Sequence, residues 1–288
     1  MKILIIDGPG VHPRTSARAL GGALHAKGHV VIVHPILMEQ LGWFKSSALA
    51  KRVAAIIETH EPDILHIFTS EPSIADAFTG KGVPVVHAAL DKASKADWVL
   101  APSRKALTRM GGPAPTADER SSVYPYPVVI NENPSTPGTY VLVHVPRRDR
   151  EAKAWIAQAA SMHKDVPVRY EGDPEEARVV ISVSSKEESW PVGVAEAMAA
   201  GRPVIAGWNG AAEEFVLEGV TGFLSAPGDI KSLASHMNYL WSKPEEAVDL
   251  GLAGRIEAAA RFGGDEHLRT LLRWYLRAGT SRLSVSGS

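Results

Sequence analysis

The stretch RVVISVSSKEESWPVGVAEAMAAGRPVIAG, from Arg178 to Gly207, decides the fold. It begins with the apolar run RVVISVS, which is typical of a strand buried on both faces of a sheet. A helical segment from Pro191 to Ala200 follows, and a second apolar run, RPVIAG, ends the stretch. A strand, a helix and a strand in this order predict a right-handed crossover between two parallel strands. The stretch therefore predicts an α/β domain with a parallel sheet.

The same alternation continues in both directions along the chain. Predicted strands lie at residues 2–7, 29–35, 62–68, 83–90, 97–103, 139–146, 166–170 and 222–226, and further predicted helices of the second half lie near residues 151–163, 229–240 and 245–260. Turn-forming residues from Pro127 to Gly138 indicate a linker between two series of elements. We therefore predict an α/β protein with two Rossmann-like, doubly wound domains facing a cleft, residues 1–130 and residues 138–262.

The end of the chain has its own pattern. The segment EHLRTLLRWYLRAG is amphipathic, and we expect a helix over residues 265–279 that crosses back to the N-terminal domain. The polar residues 280–288 are expected to form a flexible tail.

Composition and charge limit the class of protein. The chain has 288 residues, of which 45% are hydrophobic and 22% charged, as expected for two globular domains in water. Its formal net charge of -1 gives no reason to expect a nucleic-acid or polyanion binder. It has no cysteine, which excludes disulfides, thiolate metal sites and cysteine nucleophiles. No apolar run approaches the ~20 residues that cross a bilayer, and we expect a cytoplasmic protein without a transmembrane segment.

Two glutamates flank the start of the helix in the opening stretch. Pro191 suits the first helical position, and the N-terminus of a helix is a favourable place for an anion. Gly193 lacks a Cβ, so a phosphate could approach the first turn closely. Glu188 and Glu196 would then accept hydrogen bonds from hydroxyl groups on either side of the phosphates, as in a sugar nucleotide. The alternative is that both are solvated acids at the start of a helix.

A longer stretch, from Ser182 to Asp229, resembles the donor-binding core of retaining family 4 glycosyltransferases, which have the GT-B fold. It contains their two glutamates separated by seven residues, then EAMAAGRPV, and later GVTGFLSAPGD. The resemblance implies that Glu188 contacts the donor sugar and that Glu196 binds the ribose. It also implies that the N-terminal domain binds the acceptor, and it places five further residues against the substrate: Ser189, Trp190, Pro191, Val192 and Gly193.

The same family holds the diphosphate with an arginine and a lysine after the first strand of the second domain. Here the segment PRRDREAKAW follows that strand, so the resemblance implies a phosphate clamp made of Lys153 with Arg147 or Arg148, with a slight preference for Arg147. The catalytic residues are then Arg147, Lys153 and Glu188. The alternative is a solvated charged run at the start of a helix. The chain lacks the D-x-D motif of metal-dependent glycosyltransferases, so we expect no metal.

The loop DGPGVHPRTS joins the first predicted strand to the first helix. The backbones of Gly8 and Gly10 are candidates for approaching the substrate, and His12 is a candidate for lining the site. As a dinucleotide fingerprint the loop fails, because Pro13 stands where a third glycine is needed. An oxidoreductase is therefore disfavoured. His87 is a further candidate for substrate binding, and the alternative for it is a histidine packed within its strand.

Departures from the family pattern leave two functions open. Ser189, Trp190 and Pro191 stand where the family has glycine, an aromatic residue and glycine, and both halves are short. We expect a retaining, metal-independent glycosyltransferase that uses a UDP or GDP sugar as co-substrate and no other cofactor. The alternative is a nucleotide-sugar-binding or regulatory protein without transfer activity. The acceptor (lipid, metabolite, polysaccharide, protein or modified nucleic-acid base) and the oligomeric state stay open.

Overall fold

The chain folds into two compact α/β units. The computed structural model describes residues 1–8, 13–36, 46–111, 121–130 and 138–283. The first unit comprises Met1–Pro127 together with Gly263–Ser288, and the second comprises Val128–Phe262. Each unit has its own parallel sheet, and the prediction of two parallel-sheet α/β domains is confirmed. Gly10, His12 and the predicted linker residues 131–137 lie outside the described residues.

The first unit contains a six-stranded sheet. Its strands are β1 (Lys2–Asp7), β2 (Val30–Pro35), β3 (Ile64–Phe68), β4 (Val85–Ala88), β5 (Trp98–Ala101) and β6 (Ser121–Val123). They are arranged in the order β2-β1-β3-β4-β5-β6, and every neighbouring pair is parallel. The helices are α1 (Pro13–Ala26), α2 (Ser46–His60), α3 (Pro72–Phe78) and α4 (Arg104–Arg109). Strand β6 was not predicted, because it is only three residues long and follows a run of turn formers.

The second unit contains a five-stranded sheet. Its strands are β7 (Val141–His144), β8 (Val168–Arg169), β9 (Val179–Ser182), β10 (Val204–Gly207) and β11 (Gly222–Ser225). They are arranged in the order β11-β10-β9-β7-β8, again all parallel. The helices are α5 (Arg150–Ser161), α6 (Val192–Ala199), α7 (Ile230–Ser242) and α8 (Pro244–Ala258). Aliphatic side chains from the central strands and from α5 and α7 form the core, among them Val141, Ile156, Ile181, Ile205 and Leu233.

The last helix, α9 (Asp265–Leu283), belongs to the first unit. The hydroxyl group of Tyr275 on α9 lies 2.7 Å from Nδ1 of the buried His66 on β3. Trp274 stacks on Trp98, with ring centroids 4.7 Å apart. The helix runs to Leu283, four residues beyond its predicted end at Gly279, because residues 280–283 contain no proline or glycine. No described helix has both the length and the apolar character needed to cross a membrane.

The topology of the second unit favours one position for a ligand. Strand β7 lies between β8 and β9. The chain passes from β7 to β8 on one side and then crosses to β9 on the other side of β7, so the strand order reverses there. Sheets wound in this way bind ligands at the carboxyl ends of the strands where the order reverses. That point lies between β7 and β9, whose last residues, His144 and Ser182, are paired in register. The β7–α5 loop (residues 145–149) and the β9–α6 loop (residues 183–191) therefore meet there.

Candidate functional site

A cavity of about 520 Å³ lies where the β7–α5 loop and the β9–α6 loop meet. It contains charged side chains of both signs, including the predicted site residues Arg148 and Glu188. The lining residues are Pro146, Arg148, Asp149, Arg150, Glu151, Ser184, Ser185, Lys186, Glu187 and Glu188. The cavity is thus at the position that the sheet topology favours for a ligand.

Asp149 connects the two loops that line the cavity. Its Oδ1 caps α5 by accepting a hydrogen bond from the Ala152 N–H at 3.0 Å. Its Oδ2 accepts from the Ser185 N–H at 2.7 Å and from the Ser184 hydroxyl at 3.2 Å. Burial raises the pKa of Asp149, but these hydrogen bonds outweigh that effect and hold the pKa below its ordinary value. Asp149 is therefore an ionised carboxylate that hydrogen bonds hold in place.

Glu188 is held in place through its backbone. Its carbonyl accepts a hydrogen bond from the Ala211 N–H at 2.9 Å. Gly210 lies directly against it with a φ of +130°, and a Cβ at Gly210 would be 2.6 Å from the Glu188 carbonyl oxygen. Burial, and then the negative charge of Asp149, raise the pKa of Glu188 to about 7. The carboxyl group therefore exchanges between its neutral and ionised forms near neutral pH.

The three candidate cations lie on one short segment. Lys153, in the first turn of α5, donates a hydrogen bond from Nζ to the Arg147 carbonyl oxygen at 3.0 Å. Arg147 and Arg148 are both exposed, but of the three only Arg148 lines the cavity. The geometry thus favours Arg148 for contact with a ligand in the cavity, whereas the sequence slightly favoured Arg147.

The start of α6 differs from its prediction. Pro191 is the N-cap and Val192 the first helical residue, so the helix begins one residue later than expected. The Val192 N–H donates to the Trp190 carbonyl at 3.0 Å, and the N–H groups of Val194 and Ala195 donate to that of Pro191. Three amides of the first turn are therefore already used inside the protein.

Gly193 is required for a reason that the sequence did not predict. A Cβ at this position would lie 2.3 Å from Nδ1 of His144 and 2.7 Å from the Ser182 hydroxyl. The missing Cβ therefore lets α6 pack against the ends of β7 and β9. That a phosphate approaches this turn stays a prediction.

The other predicted residues of this stretch are more buried than expected. The side chains of Ser189 and Trp190 are 4% and 7% exposed. The Trp190 ring packs edge-to-face against Phe215 and Phe262, with centroids 5.6 Å away in both cases. The ring therefore belongs to an aromatic cluster of the second unit, and contact of Trp190 with the substrate stays a prediction. Glu196 lies in the second turn of α6 and is partly exposed.

Two predicted residues of the first unit, Gly8 and His87, lie in the described part of the chain and have structural partners. The Gly8 N–H donates to the Phe68 carbonyl at 2.8 Å, and a Cβ at Gly8 would lie 2.9 Å from the same oxygen. The His87 ring lies within hydrogen-bonding distance of the Ser94 hydroxyl at Nδ1 (2.8 Å) and of the Thr69 carbonyl at Nε2 (3.0 Å). Burial lowers the pKa of His87 to about 4, although the bond to Thr69 opposes this. These contacts favour the alternative of a histidine packed within its strand, and contact of His87 with the substrate stays a prediction.

Sequence reasoning missed Asp149 and Gly210. An aspartate just before a helix is a recognisable N-cap signal, so the capping bond of Asp149 was predictable. Its bonds to the β9–α6 loop join residues 35 and 36 positions apart, and no local pattern indicates them. Within the described part of the chain, no group of three or more His, Asp or Glu side chains is placed to hold a metal ion.

Residues 157–257 match the family model "Glycosyl transferases group 1". The match covers roughly a third of the chain, within the second unit, and includes Glu188, Glu196 and Gly210. The second unit therefore contains a segment similar to group 1 glycosyltransferases, which agrees with the predicted resemblance to a glycosyltransferase. A comparison of the sequence with curated proteins finds no match.

Three solved structures resemble the chain over nearly its whole length. Alr3699/HepE from Anabaena, in complex with UDP and glucose, matches with a TM-score of 0.69 and 19% identity over 95% of this chain and 98% of its own. A glycosyltransferase from Rickettsia africae matches with 0.70 and 16% identity over 96% and 98%. Sucrose-phosphate synthase from Thermosynechococcus elongatus matches with 0.67 and 16% identity over 100% of both chains. The predicted GT-B fold is confirmed.

Proposed function

We propose that the protein is a retaining glycosyltransferase that transfers a sugar from a nucleoside diphosphate, in a UDP or GDP sugar, to an acceptor. The observation that carries the proposal is the cavity of about 520 Å³, which joins Arg148 to Glu188 at the carboxyl edge of the sheet. The segment similar to group 1 glycosyltransferases supports it. A further support is that the similar Anabaena protein was solved in complex with UDP and glucose.

Arg148 and Lys153 are the proposed ligands of the diphosphate. A guanidinium group forms two parallel hydrogen bonds with a phosphate and keeps its charge at every relevant pH. Such a group stabilises the charge that develops on the departing diphosphate, and we propose that no metal ion is needed for this. The Lys153 ammonium group donates to the Arg147 carbonyl, so it lies against the backbone of the loop that carries both arginines.

Glu188 and Glu196 are the proposed ligands of the two hydroxyl-bearing ends of the donor. They are separated by seven residues, one in the loop before α6 and one in its second turn. We assign Glu188 to the sugar and Glu196 to the ribose, as the resemblance to family 4 implies. A pKa of about 7 suits a carboxyl group beside a diphosphate, because the neutral form does not repel the phosphates.

The proposed reaction occurs on one face of the sugar. The acceptor oxygen forms a bond to the anomeric carbon as the bond from that carbon to the diphosphate oxygen breaks. The acceptor proton passes to an oxygen of the leaving diphosphate, so no protein nucleophile is required and the configuration is retained. Exclusion of water from the site would limit hydrolysis of the donor.

Titration calorimetry with UDP, GDP and their sugars tests the proposal. We expect Arg148→Ala to weaken binding of the preferred diphosphate at least tenfold, because it removes a cation from the cavity. The matched control is Arg147→Ala, on the neighbouring residue outside the cavity lining, which should change affinity less than threefold. Equal losses in both variants would contradict the assignment of Arg148.

The transfer itself needs a second measurement. Incubation of the wild type with the bound sugar nucleotide and a panel of acceptors should release the diphosphate and form a product of retained configuration. Binding without hydrolysis or transfer would favour the alternative, a nucleotide-sugar-binding or regulatory protein. Absence of binding to every nucleoside diphosphate tested would refute both.

A further inference from the structure

The carboxylate of Asp149 is unexpected in a cavity that is proposed to bind a diphosphate. It lines the same cavity as Arg148 and Glu188, and a negative charge there repels phosphate. A carboxylate that weakens phosphate binding must contribute to the site in another way. Its hydrogen bonds indicate that role, because its two oxygens are directed to two different parts of the protein.

One oxygen of Asp149 serves the β7–α5 segment and the other serves the β9–α6 loop. Oδ1 caps the helix that carries Lys153, and Oδ2 accepts from the Ser185 N–H and the Ser184 hydroxyl. These acceptor positions are used by the protein itself. Ionised acceptors form stronger hydrogen bonds than neutral ones, so a carboxylate holds the two segments together more firmly than an amide would.

A second side chain holds the same loop from the strand β10 side. Nδ2 of Asn209 donates to the carbonyl oxygens of Ser184 at 2.8 Å and Lys186 at 3.2 Å. The segment just before Glu188 is thus held by two side chains. Asp149 binds it from the β7–α5 loop, and Asn209 binds it from the loop that follows β10. Removal of either contact frees a loop that carries a proposed ligand of the donor sugar.

We propose that Asp149 is a positioning residue that locks the loop carrying Arg148 to the loop carrying Glu188, so that both reach the same donor molecule. That the shared ligand is a sugar donor rests on the proposed function. The link between the two loops rests on the hydrogen bonds alone. Asp149 itself contacts neither the sugar nor the phosphates.

Asp149→Asn separates the link from the helix cap. Asparagine caps a helix as well as aspartate does, so α5 should be preserved. The amide cannot accept hydrogen bonds at both of its ends, so either the Ser185 N–H or the Ala152 N–H loses its partner. The matched control is Asp173→Asn. Asp173 caps the short helical turn Pro174–Glu176 before β9, at the opposite edge of the sheet, by accepting from the Glu175 N–H.

Hydrogen exchange of the free protein measures the link directly. In Asp149→Asn, we expect the amide of Ser185 to exchange at least tenfold faster, with a melting temperature within a few degrees of the wild type. Asp173→Asn should leave the exchange of Ser185 within twofold. Unchanged exchange in Asp149→Asn would overturn the proposal. This result needs no ligand, so it is independent of whether the protein binds a nucleotide.

A titration of the Glu188 carboxyl by NMR adds a readout that a purely structural role would not change. Charged groups that line the cavity with it are Arg148, Asp149, Arg150, Glu151, Lys186 and Glu187. Burial is the largest cause of the raised pKa of Glu188, and the negative charge of Asp149 is the second. Asp149→Asn should therefore lower that pKa, and the pH profile of turnover should shift in the same direction. An unchanged pKa would contradict the proximity on which the inference depends.

Activity separates this inference from the proposed function. If the wild type transfers sugar, Asp149→Asn should reduce kcat/KM at least tenfold, mainly through KM, since both ligands are misplaced in the ground state. Wild-type kcat/KM in this variant would overturn the positioning role. If the wild type binds no nucleoside diphosphate, the proposed function fails while the exchange and titration results still decide whether the link exists.

Discussion

At the scale of single residues, Glu188 and Asp149 form a pair of carboxyl groups with opposite behaviour. Hydrogen bonds from Ser184, Ser185 and Ala152 keep Asp149 ionised, whereas burial and the neighbouring charge favour the neutral form of Glu188. The surroundings thus give two carboxyl groups of one site different pKa values. Such a difference allows chemically similar groups to have different roles.

The raised pKa of Glu188 predicts a pH-dependent stability. The folded state holds the proton up to about pH 7, while the unfolded chain releases it near 4.5, so the folded protein loses stability as pH rises between these values. Glu188→Gln removes this loss and should stabilise the protein at pH 8 by about 1–3 kcal/mol, after allowance for solvent screening, but little at pH 4. Thermal melts at both pH values measure the difference.

The control for this prediction is Glu245→Gln, which removes an exposed carboxylate at the start of α8. It should not reproduce the pH-dependent gain. The same Glu188→Gln variant should slow sugar transfer at least about tenfold, since an amide cannot ionise to the carboxylate that is the stronger acceptor for hydroxyl groups of the donor sugar. A variant that gains no stability at pH 8 would show that Glu188 is solvated and ionised in the free protein.

The position of Glu188 was predictable from the sequence, but the choice between the arginines was not. The spacing of seven residues and the start of the helix indicate where Glu188 lies. Arg147 and Arg148 are adjacent and identical in type, and only the path of the β7–α5 loop determines which one lines the cavity. Asp149 connects segments distant in sequence, so its bridging bonds depend on the tertiary structure.

At the scale of elements, the contact of α6 with the sheet depends on Gly193. The strands were predictable because continuously apolar runs such as those of β1, β3 and β9 are buried on both faces. Strand β6 was missed because Ser121 and Ser122 carry no such signal and only pairing with β5 orders them. The start of α6 was misplaced by one residue because proline is found both before and at the first helical position.

Gly193→Ala tests this packing. The added Cβ would lie within 2.7 Å of atoms of His144 and Ser182, so we expect a loss of about 1–3 kcal/mol in the free energy of unfolding. The matched control is Gly22→Ala in α1, where nothing lies within 4 Å of the added Cβ. That change should stabilise the protein by about 0.5–1 kcal/mol, because alanine favours the helix. Urea denaturation of both variants measures the contrast, and equal effects would contradict the close approach of α6.

At the scale of the whole molecule, the chain returns to the first unit after completing the second. The first unit is formed by Met1–Pro127 and Gly263–Ser288, so α9 packs with elements from the first part of the chain. The amphipathic pattern of the last segment predicted a helix there. Its partners depend on long-range contacts, such as the stacking of His267 on Tyr124 with centroids 4.0 Å apart. Composition and local pattern do not specify such contacts.

Deletion of residues 265–288 tests the dependence of the first unit on α9. The deletion removes the buried side chains of Leu268, Leu271, Tyr275 and Ala278, and each buried Leu is worth about 2–5 kcal/mol. We expect calorimetry to show loss of the transition of the first unit, with that of the second unit retained. Deletion of residues 284–288 alone, after the end of the helix, is the control and should leave both transitions. Retention of both in the longer deletion would contradict the described packing.

The measurement that tests the central claim most directly is hydrogen exchange of the full chain with and without a saturating nucleoside diphosphate sugar. The claim is that the β7–α5 and β9–α6 loops bind the donor together. We predict that the ligand protects peptides covering residues 145–153 and 184–196 and that Arg148→Ala abolishes this protection at the same ligand concentration. Binding that protects other segments and leaves these two unchanged would contradict the account.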